Sequence, residues 1–375
     1  QRLDIISAAQ AESAEVRIAY AAVYANIANA WKKWQGEVLG LNRLRTAEKK
    51  RAYEADFAAW AASKPEYANL LDEMHKAYEA VIPGYYMREL FTESVATINA
   101  YSYARSLYNA VLAAEKEGKT YDVEKAHQNF LKSYNQGIDQ AIARRMVDEF
   151  CQRVAPESMP ADLKAQIAYY GGAEKYVDAM FRSSRLLGTD PITASDVKGD
   201  ALVNFVRIFN NIANDTRNYA YRNLSNVPQV EQWYRTYMRA LREWDKERAF
   251  YPDANFTLRV AYGKVAGYEY ADGEYHNPVT SIDGIIAKDD PNIYDYNIPQ
   301  SLRDIYARKD YGRWASQIGN RESVAVCFLA TNHTSGGNSG SPVINGKGEL
   351  IGINFDRTWR STMSDIEFDP SICRN

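Results

Sequence analysis

The sequence has few cysteines, no long hydrophobic run and little excess charge of either sign. Three cysteines, Cys151, Cys327 and Cys373, are too few and too widely spaced for a disulfide framework or a paired-cysteine metal site. No apolar run approaches the length of about 18 residues that a transmembrane helix needs. The formal net charge is −3, and neither half of the chain is basic enough to suggest a nucleic-acid-binding surface.

A start methionine and a charged-then-apolar leader are also absent, because the chain begins at Gln1. This beginning predicts a processed or excised piece whose targeting information has been removed. A length of 375 residues favours about two to three domains and is ample for a sizeable core.

Residues 1–250 are predicted to be almost entirely helical. Apolar residues recur every three or four positions on one face of a long helix that we expect to end near Gly36: Val16, Tyr20, Val23, Ile27, Trp31 and Trp34. Further breaks are expected at Pro83-Gly84, Gly118, Pro156, Gly171-Gly172 and Gly188. Helix starts are expected at Ser63–Glu66, at Thr193–Asp196 and at Asn226–Gln229. These signals predict roughly eight helices in a bundle-like domain.

The period changes after Pro252. Alternation of Phe256, Leu258, Val260 and Tyr262 with smaller or polar residues predicts a half-buried strand. Residues 324–330 are continuously apolar, which predicts a fully buried strand. The fold class is therefore α+β, with a helical domain at 1–250 and a β-rich domain at 251–375.

The stretch 336–342, GGNSGSP, is the part of the sequence most typical of a catalytic motif. A serine hydroxyl becomes a nucleophile when a base takes its proton and backbone N–H groups stabilise the oxyanion. Glycines beside Ser339 would let the N–H groups of Gly337 and Ser339 converge on one point. The alternative is a plain turn between two strands, which fits any short run of this composition.

A hairpin is predicted directly after Ser339, with its turn in 345–348, NGKG. If Ile344 pairs with Glu349, Ser339 lies opposite Asn354; if Ile344 pairs with Lys347, Ser339 lies opposite Gly352. Either register returns Asp356 and Arg357 to the vicinity of the serine.

Asp356 and Arg357 carry charges suited to a peptide substrate. Arg357 could bind a carboxylate through a two-pronged ion pair, and Asp356 could attract an ammonium group. The alternative is a solvated strand end whose adjacent side chains point to opposite faces.

A base for Ser339 is harder to find. His75 and His127 lie in helical patterns, and only His276 and His333 lie in the β-rich part. Neither of the latter two is favoured as the base, so we expect the catalytic histidine and carboxylate to lie on sequence outside this chain. The chain would then carry half an active site.

The motif around Ser339 resembles the nucleophile motif of chymotrypsin-like serine peptidases, with Asn338 and Ser341 in place of the usual Asp and Gly. The longer string TNHTSGGNSGSPVINGKGELIGINFDRTW, residues 331–359, is similar to the bacterial dipeptidyl-peptidase 7 and 11 family. The resemblance extends to the helical region, which it identifies as a domain that caps the substrate cleft. It also implies that residues 251–375 are part of a chymotrypsin-like antiparallel β-barrel.

The resemblance assigns roles to individual residues. Ser339 would be the nucleophile, with the backbone of Gly337 and Ser339 as the oxyanion hole. Asp356 would bind the substrate's free amino terminus, aided by Asn29, with Asn26 as the rival candidate. Arg357 would line the pocket for the second substrate residue, as in the family's branch that cleaves after Asp or Glu.

These roles imply a serine dipeptidyl peptidase that acts on peptides with a free amino terminus, without a metal or organic cofactor. The resemblance places it in the bacterial periplasm or outside the cell. This chain alone is expected to be inactive and to need an N-terminal catalytic segment as its partner. Whether it forms homodimers is left open. The alternative function is a non-catalytic helical scaffold or binding module with a vestigial serine loop.

Overall fold

A computed structural model describes residues 1–220, 228–250 and 257–375. The chain divides into two compact units, each made of two segments. The first unit comprises Gln1–Ile27 and Glu54–Ala249, and the second comprises Ala28–Tyr53 and Phe250–Asn375. The division near residue 250 coincides with the change of period in the sequence. Residues 28–53, in contrast, group with the C-terminal part rather than with the other helices.

The described part of residues 1–250 contains twelve α-helices rather than the roughly eight predicted. They are α1 (Arg2–Glu12), α2 (Ala14–Leu44), α3 (Thr46–Ala61), α4 (Leu70–Glu93), α5 (Asn99–Lys116), α6 (Val123–Leu131), α7 (Gln136–Arg153), α8 (Ala161–Tyr170), α9 (Ala173–Ser183), α10 (Ala194–Gly199), α11 (Ala201–Ala220) and α12 (Pro228–Trp244).

The core of the first unit is aromatic. Helix α11 packs on α4 and α5, and its apolar face from Leu202 to Phe209 is buried as its spacing predicts. The rings of Phe205 and Phe209 meet edge to face with centroids 5.0 Å apart, and Phe150 lies 5.2 Å from Phe209. Such edge-to-face pairs stabilise a core beyond their burial.

Capping and helix-breaking residues predicted some helix boundaries and missed others. Thr193 and Asp196 form the expected capping box at the start of α10, and α8 ends at the left-handed Gly171. The breaks at Gly118, Pro156 and Gly188 are also confirmed, since each lies outside the α-helices. The predicted start at Asn226–Gln229 falls partly on residues outside those described.

Three of the predicted helix boundaries are wrong, and the one near Gly36 is described below. Helix α4 runs without interruption through Pro83, because buried Val81 and Phe91 hold both sides of it against the core. The segment Ser63–Glu66 does not begin a helix either, since it lies in the turn between α3 and α4.

Besides parts of α2 and α3, the second unit contains short antiparallel strands and two short α-helices in its described C-terminal segment, residues 257–375. In chain order they are β1 (Tyr268–Ala271), β2 (Glu274–His276), β3 (Val279–Ser281), α13 (Ile282–Ala287), α14 (Gln300–Arg308), β4 (Ala315–Ile318), β5 (Arg321–Phe328), β6 (Pro342–Ile344) and β7 (Leu350–Ile353). They form the sheets β1-β2, β3-β5-β4 and β6-β7. The α+β class is therefore confirmed, but within the described residues these small sheets do not close into the predicted barrel.

Two strand predictions need correction. Residues 257–264 form no strand, and Leu258 and Val260 are 97% and 82% exposed. In the described structure a single bridge, Val265–Ala330, follows this segment. Phe256 lies outside the described residues. Strand β5 exists as predicted but is not fully buried, since Val326 is exposed. Alternation and apolar runs indicate strands, whereas burial depends on what packs against them.

Helix α2 does not end near Gly36, because Gly36 and Gly40 are packing positions. A Cβ on Gly36 would overlap Thr362 Oγ1, and one on Gly40 would lie 2.7 Å from Met363 Cγ. The missing side chains let the helix approach the 3₁₀ helix Trp359–Asp365 closely. Trp359 Nε1 donates to the Lys32 backbone oxygen at 2.7 Å, which fixes the contact.

Candidate active site around Ser339

The loop that carries Ser339 is built by its glycines and by Asn338. Gly337 and Gly340 have φ angles of 101° and 86°, which a residue with a side chain adopts at a cost. Asn338 Oδ1 accepts the Ser335 N–H at 3.0 Å, and its backbone oxygen accepts the Ser341 N–H at 3.1 Å. The tight loop therefore exposes Ser339 to solvent.

The hairpin after the serine forms, but both predicted registers are wrong. The loop is longer than predicted because Asn345 Oδ1 accepts the N–H groups of Lys347 and Glu349 at 2.9 and 3.0 Å. An irregularity between Val343 and Ile344 shifts the pairing further. The observed pairs are Pro342 with Ile353, Val343 with Gly352, and Ile344 with Leu350.

The backbone nevertheless brings residues 354–357 back to the serine loop. Gly340 N–H donates to the Asn354 oxygen at 2.7 Å, and Asn354 N–H donates to the Ser341 oxygen at 2.9 Å. The Ser339 hydroxyl donates to the Phe355 backbone oxygen at 3.1 Å. Asp356 follows Phe355 directly, so the serine lies next to the charged pair.

The backbone N–H groups of the loop divide into two sets. Those of Asn338, Gly340 and Ser341 donate to carbonyl oxygens within the protein. In the part of the chain that the structure describes, those of Gly336, Gly337 and Ser339 donate to no acceptor. The N–H groups of Gly337 and Ser339 are therefore free of protein acceptors, as the donors of an oxyanion hole must be.

Arg357 is held firmly by its neighbours. Its Nη1 and Nη2 donate to the two carboxylate oxygens of Asp365 at 2.8 and 2.6 Å, and Nη1 also donates to Ser364 Oγ at 2.7 Å. The hydrogen bonds to Asp365 raise the Arg357 pKa above its usual value. The same hydrogen bonds lower the pKa of Asp365. Both groups are therefore charged over the neutral range.

Asp356 faces solvent, and its Oδ1 accepts the Arg357 backbone N–H at 2.8 Å. That hydrogen bond orients the carboxylate while most of it stays accessible. An oriented and exposed carboxylate can pair with a cation such as a peptide ammonium group.

Asn29 is exposed on helix α2 within the second unit. Lys33 lies four residues later on the same face of the helix, and its Nζ is 3.7 Å from Asp365 Oδ2. Asn29 therefore lies on the same helix face as Lys33, which contacts Asp365. The two residues are about 6 Å apart along the helix axis. Asn26 is exposed and belongs to the first unit.

The two histidines of the second unit have partners of their own. His333 Nε2 lies 3.1 Å from the Ser364 backbone oxygen, and its ring packs on Phe368. His276 Nε2 lies 2.9 Å from Glu274 Oε1, and its ring stacks on Tyr268. His75 and His127 lie in α4 and α6, as the helical patterns predict.

Sequence reasoning missed four residues that surround Arg357: Asp365, Ser364, Thr334 and Lys33. Thr334 contributes its backbone oxygen at 3.5 Å from Arg357 Nη1. The only sequence signal was an unpaired acidic residue a few positions after Arg357. Lys33 had no signal, because its contact joins residues more than 300 positions apart.

Two other kinds of feature are absent from the described ranges. No group of three or more His, Cys, Asp or Glu side chains is arranged to hold a metal ion. No helix there has the length and apolar character needed to cross a membrane.

Comparisons with known proteins agree with one another. The family model described as Peptidase S46 matches residues 1–375. An Asp/Glu-specific dipeptidyl-peptidase of Flavobacterium psychrophilum is 35% identical over 96% of this chain and 52% of its own length. A dipeptidyl-peptidase 7 of Phocaeicola vulgatus is 30% identical over 100% of this chain and 53% of its own length.

The structural comparison leads to the same group of proteins. The crystal structure of Porphyromonas endodontalis DPP11 in complex with the dipeptide Arg-Glu is 28% identical and has a TM-score of 0.83. The match covers 99% of this chain and 55% of that one. This chain spans about half the length of the relatives it matches. The match of the family model along all 375 residues shows that the chain belongs to the peptidase S46 family.

Proposed function

We propose that this chain carries the nucleophile and substrate pockets of a serine dipeptidyl peptidase that prefers Asp or Glu as the second substrate residue. The observation that carries the proposal is the 3.1 Å hydrogen bond from the Ser339 hydroxyl to the Phe355 backbone oxygen. It sets the serine beside Asp356 and Arg357, which have the charges needed to bind the two ends of an acidic dipeptide. The relatives named above are peptidases, so they give no support to the alternative of a non-catalytic scaffold.

The reaction would proceed through an acyl-enzyme. Ser339 Oγ attacks the carbonyl carbon of the second residue while its proton passes to a general base. The C–N bond then breaks, the shortened peptide leaves with a proton on its new amino group, and the dipeptide remains esterified to Ser339. Water hydrolyses this ester and releases the dipeptide. His276 and His333 have other partners, so the proposal takes the base from sequence outside residues 1–375.

The unsatisfied N–H groups of Gly337 and Ser339 support an oxyanion hole. During the attack the carbonyl oxygen gains negative charge, which two convergent N–H groups stabilise. Gly337 has a φ of 101°, a conformation that favours glycine. A β-carbon at that position would strain this conformation.

Removal of two residues at a time would follow from a fixed distance between two charges. Asp356 would bind the substrate ammonium group, and Asn29 on helix α2 would add an amide acceptor. A dipeptide then spans the distance from this site to Ser339, whereas a longer segment does not fit with its ammonium group bound. Release of dipeptides rather than single residues or long fragments is the consequence.

Preference for an acidic second residue would come from Arg357. Its guanidinium is always charged at physiological pH and suits bidentate binding of a carboxylate. An apolar side chain beside the same group would leave an arginine partly desolvated without new hydrogen bonds. The Asp/Glu-specific relatives support this assignment.

The family resemblance adds two features to the proposed function, one of fold and one of location. One is that the strands of the second unit belong to a chymotrypsin-like barrel. The other is a periplasmic or extracellular location in a bacterium, where peptides from outside the cell are processed.

Product analysis tests the proposal in the natural polypeptide that contains these 375 residues. Peptides with Glu, Asp, Leu or Lys at the second position are incubated with the protein, and the products are identified by mass spectrometry. We expect dipeptides released after Glu and Asp, and none from the same peptides with an acetylated amino terminus. Release of single residues, internal cleavage, or no cleavage of any peptide would contradict the proposal.

A further inference from the structure

The hydrogen bonds of Arg357 use only one edge of its guanidinium. A guanidinium has five N–H donors arranged as two forks, one formed by Nη1 and Nη2 and the other by Nη2 and Nε. Asp365 takes the first fork with both of its oxygens, and Ser364 Oγ takes the remaining proton on Nη1. Three of the five donors are therefore bound to neighbouring side chains.

The second fork is left for another ligand. Among the described residues, Nε–H and the remaining Nη2–H of Arg357 donate to no acceptor. The Arg357 side chain as a whole is only 14% exposed, so a ligand that binds it is largely shielded from solvent. One carboxylate would satisfy both donors in the bidentate geometry that arginine favours.

We propose that Asp365 is the positioning residue for substrate selection: it fixes Arg357 by one fork, so that the other fork receives the acidic side chain of the substrate. This inference rests on the function proposed above, in which Arg357 binds that side chain. Asp365 does not touch the substrate and acts through the orientation of Arg357. An arginine that is already oriented loses less conformational entropy when it binds a carboxylate.

Asp365 is itself anchored, as a positioning residue must be. It ends the 3₁₀ helix Trp359–Asp365, which the Trp359–Lys32 hydrogen bond and the close approach at Gly36 hold on helix α2. Lys33 Nζ lies 3.7 Å from Asp365 Oδ2, while Ser364 is buried and its backbone oxygen faces His333. The carboxylate is therefore fixed from the helix side and from its own segment.

A competing role for Asp365 makes the opposite prediction. If its carboxylate only occupied the place of the substrate's carboxylate, removing its charge would free Arg357 and strengthen binding of acidic substrates. Removal of a negative charge also makes the pocket more positive, which by itself favours acidic substrates. A loss of acidic preference after neutralising Asp365 is therefore opposite to both of these effects and is the result that lost orientation of Arg357 predicts.

The test compares Asp365→Asn with Asp365→Glu and with a matched control, Asp369→Asn. Asp369 pairs with Arg43 of helix α2 at 2.8 Å. This control therefore also breaks an aspartate–arginine pair of the C-terminal segment, but one that does not involve Arg357. In the natural polypeptide, kcat/KM is measured for one substrate with Glu and one with Leu at the second position. Damage to folding lowers both values together, whereas loss of orientation lowers the Glu value selectively.

We expect Asp365→Asn to reduce the Glu-to-Leu ratio of kcat/KM by about 10- to 100-fold, mainly through KM for the Glu substrate. Asp365→Glu should restore part of the ratio, and Asp369→Asn should leave it unchanged. An unchanged or increased ratio in Asp365→Asn would overturn the inference. If the unaltered protein shows no preference for Glu, the proposed function fails, and the inference fails with it.

Discussion

The Ser339 hydroxyl donates a hydrogen bond of 3.1 Å to the backbone oxygen of Phe355, the residue that directly precedes Asp356. The serine loop and the returning strand are therefore joined at the point where the charged side chains begin. Displacement of this single hydrogen bond would free the hydroxyl to approach a substrate carbonyl while the loop keeps its backbone contacts.

Replacing Ser339 with alanine should abolish dipeptide release. Removing the nucleophile of a serine peptidase lowers kcat by about 10⁴-fold or more. The matched control is Ser341→Ala in the same loop, where the backbone and not the hydroxyl makes the contacts to Asn338 and Asn354. Steady-state kinetics should show near-normal kcat for the control. Undiminished turnover in Ser339→Ala would rule out Ser339 as the nucleophile.

Asp356→Asn should weaken recognition of the substrate's amino terminus. The amide oxygen can still accept the Arg357 N–H, so the local backbone is retained, but the negative charge is lost. A charge-assisted hydrogen bond contributes about 1.5–3 kcal/mol, which corresponds to a rise in KM of about 10- to 100-fold. The variant should also discriminate less between free and acetylated peptides. Unchanged discrimination would show that another group binds the ammonium.

Gly36→Ala should destabilise the second unit even though alanine favours helices. The propensity gain is about 0.5–1 kcal/mol, whereas overpacking against Thr362 and the Trp359 backbone costs about 1–3 kcal/mol. Gly137→Ala in α7 is the control, because the nearest atom to its Cβ would be 3.6 Å away. Calorimetry should show a lower melting temperature for Gly36→Ala only. Equal behaviour of both variants would contradict the packing account of Gly36.

The stability of the second unit should depend on pH in the acidic range because of Asp283. Hydrogen bonds from the hydroxyls of Ser323, Ser281 and Tyr306 lower its pKa to about 2. A carboxyl whose pKa is lower in the folded state stabilises the fold above its unfolded pKa of 3.8, and this contribution is lost as pH falls toward 2. The difference in melting temperature between the unaltered protein and Asp283→Asn should therefore shrink over that interval. A difference independent of pH would contradict these hydrogen bonds.

Local features were predictable where a few neighbouring residues determine them. The glycine conformations around Ser339, the capping box at Thr193 and the existence of the hairpin all depend on contacts within several residues. Even there, one side chain decided the register, since Asn345 lengthened the turn. The return of Asp356 to the serine survived that error because a small shift in register does not change the strand direction.

Features set by distant contacts were missed. Gly36 was predicted to end a helix. The local sequence could not show its packing role, because its packing partners lie more than 320 positions later. The apolar alternation at Leu258 and Val260 indicated a strand, but pairing and burial require partner strands that the local sequence does not encode. Asp365 could not be recognised as the partner of Arg357 without the 3₁₀ helix that it ends.

The proposed function assigns the preference for acidic substrates to one side chain, Arg357, so a variant that removes it needs a matched control. Arg360 lies three residues from Arg357, stacks on Tyr270 with 3.9 Å between its guanidinium carbon and the ring centroid, and donates to that residue's hydroxyl at 3.0 Å. Arg360→Gly removes an arginine from the same segment without touching Arg357. It should leave the substrate preference unchanged.

The most direct test is the Glu-to-Leu ratio of kcat/KM in Arg357→Gly, measured beside the unaltered protein and Arg360→Gly. Loss of a bidentate charged contact should reduce the ratio by about 100-fold, since two charge-assisted hydrogen bonds disappear. Hydrolysis of the Leu substrate should persist, because Ser339 and its loop are intact. A ratio in Arg357→Gly equal to that of the unaltered protein would contradict the assignment of this pocket and the acidic specificity built on it.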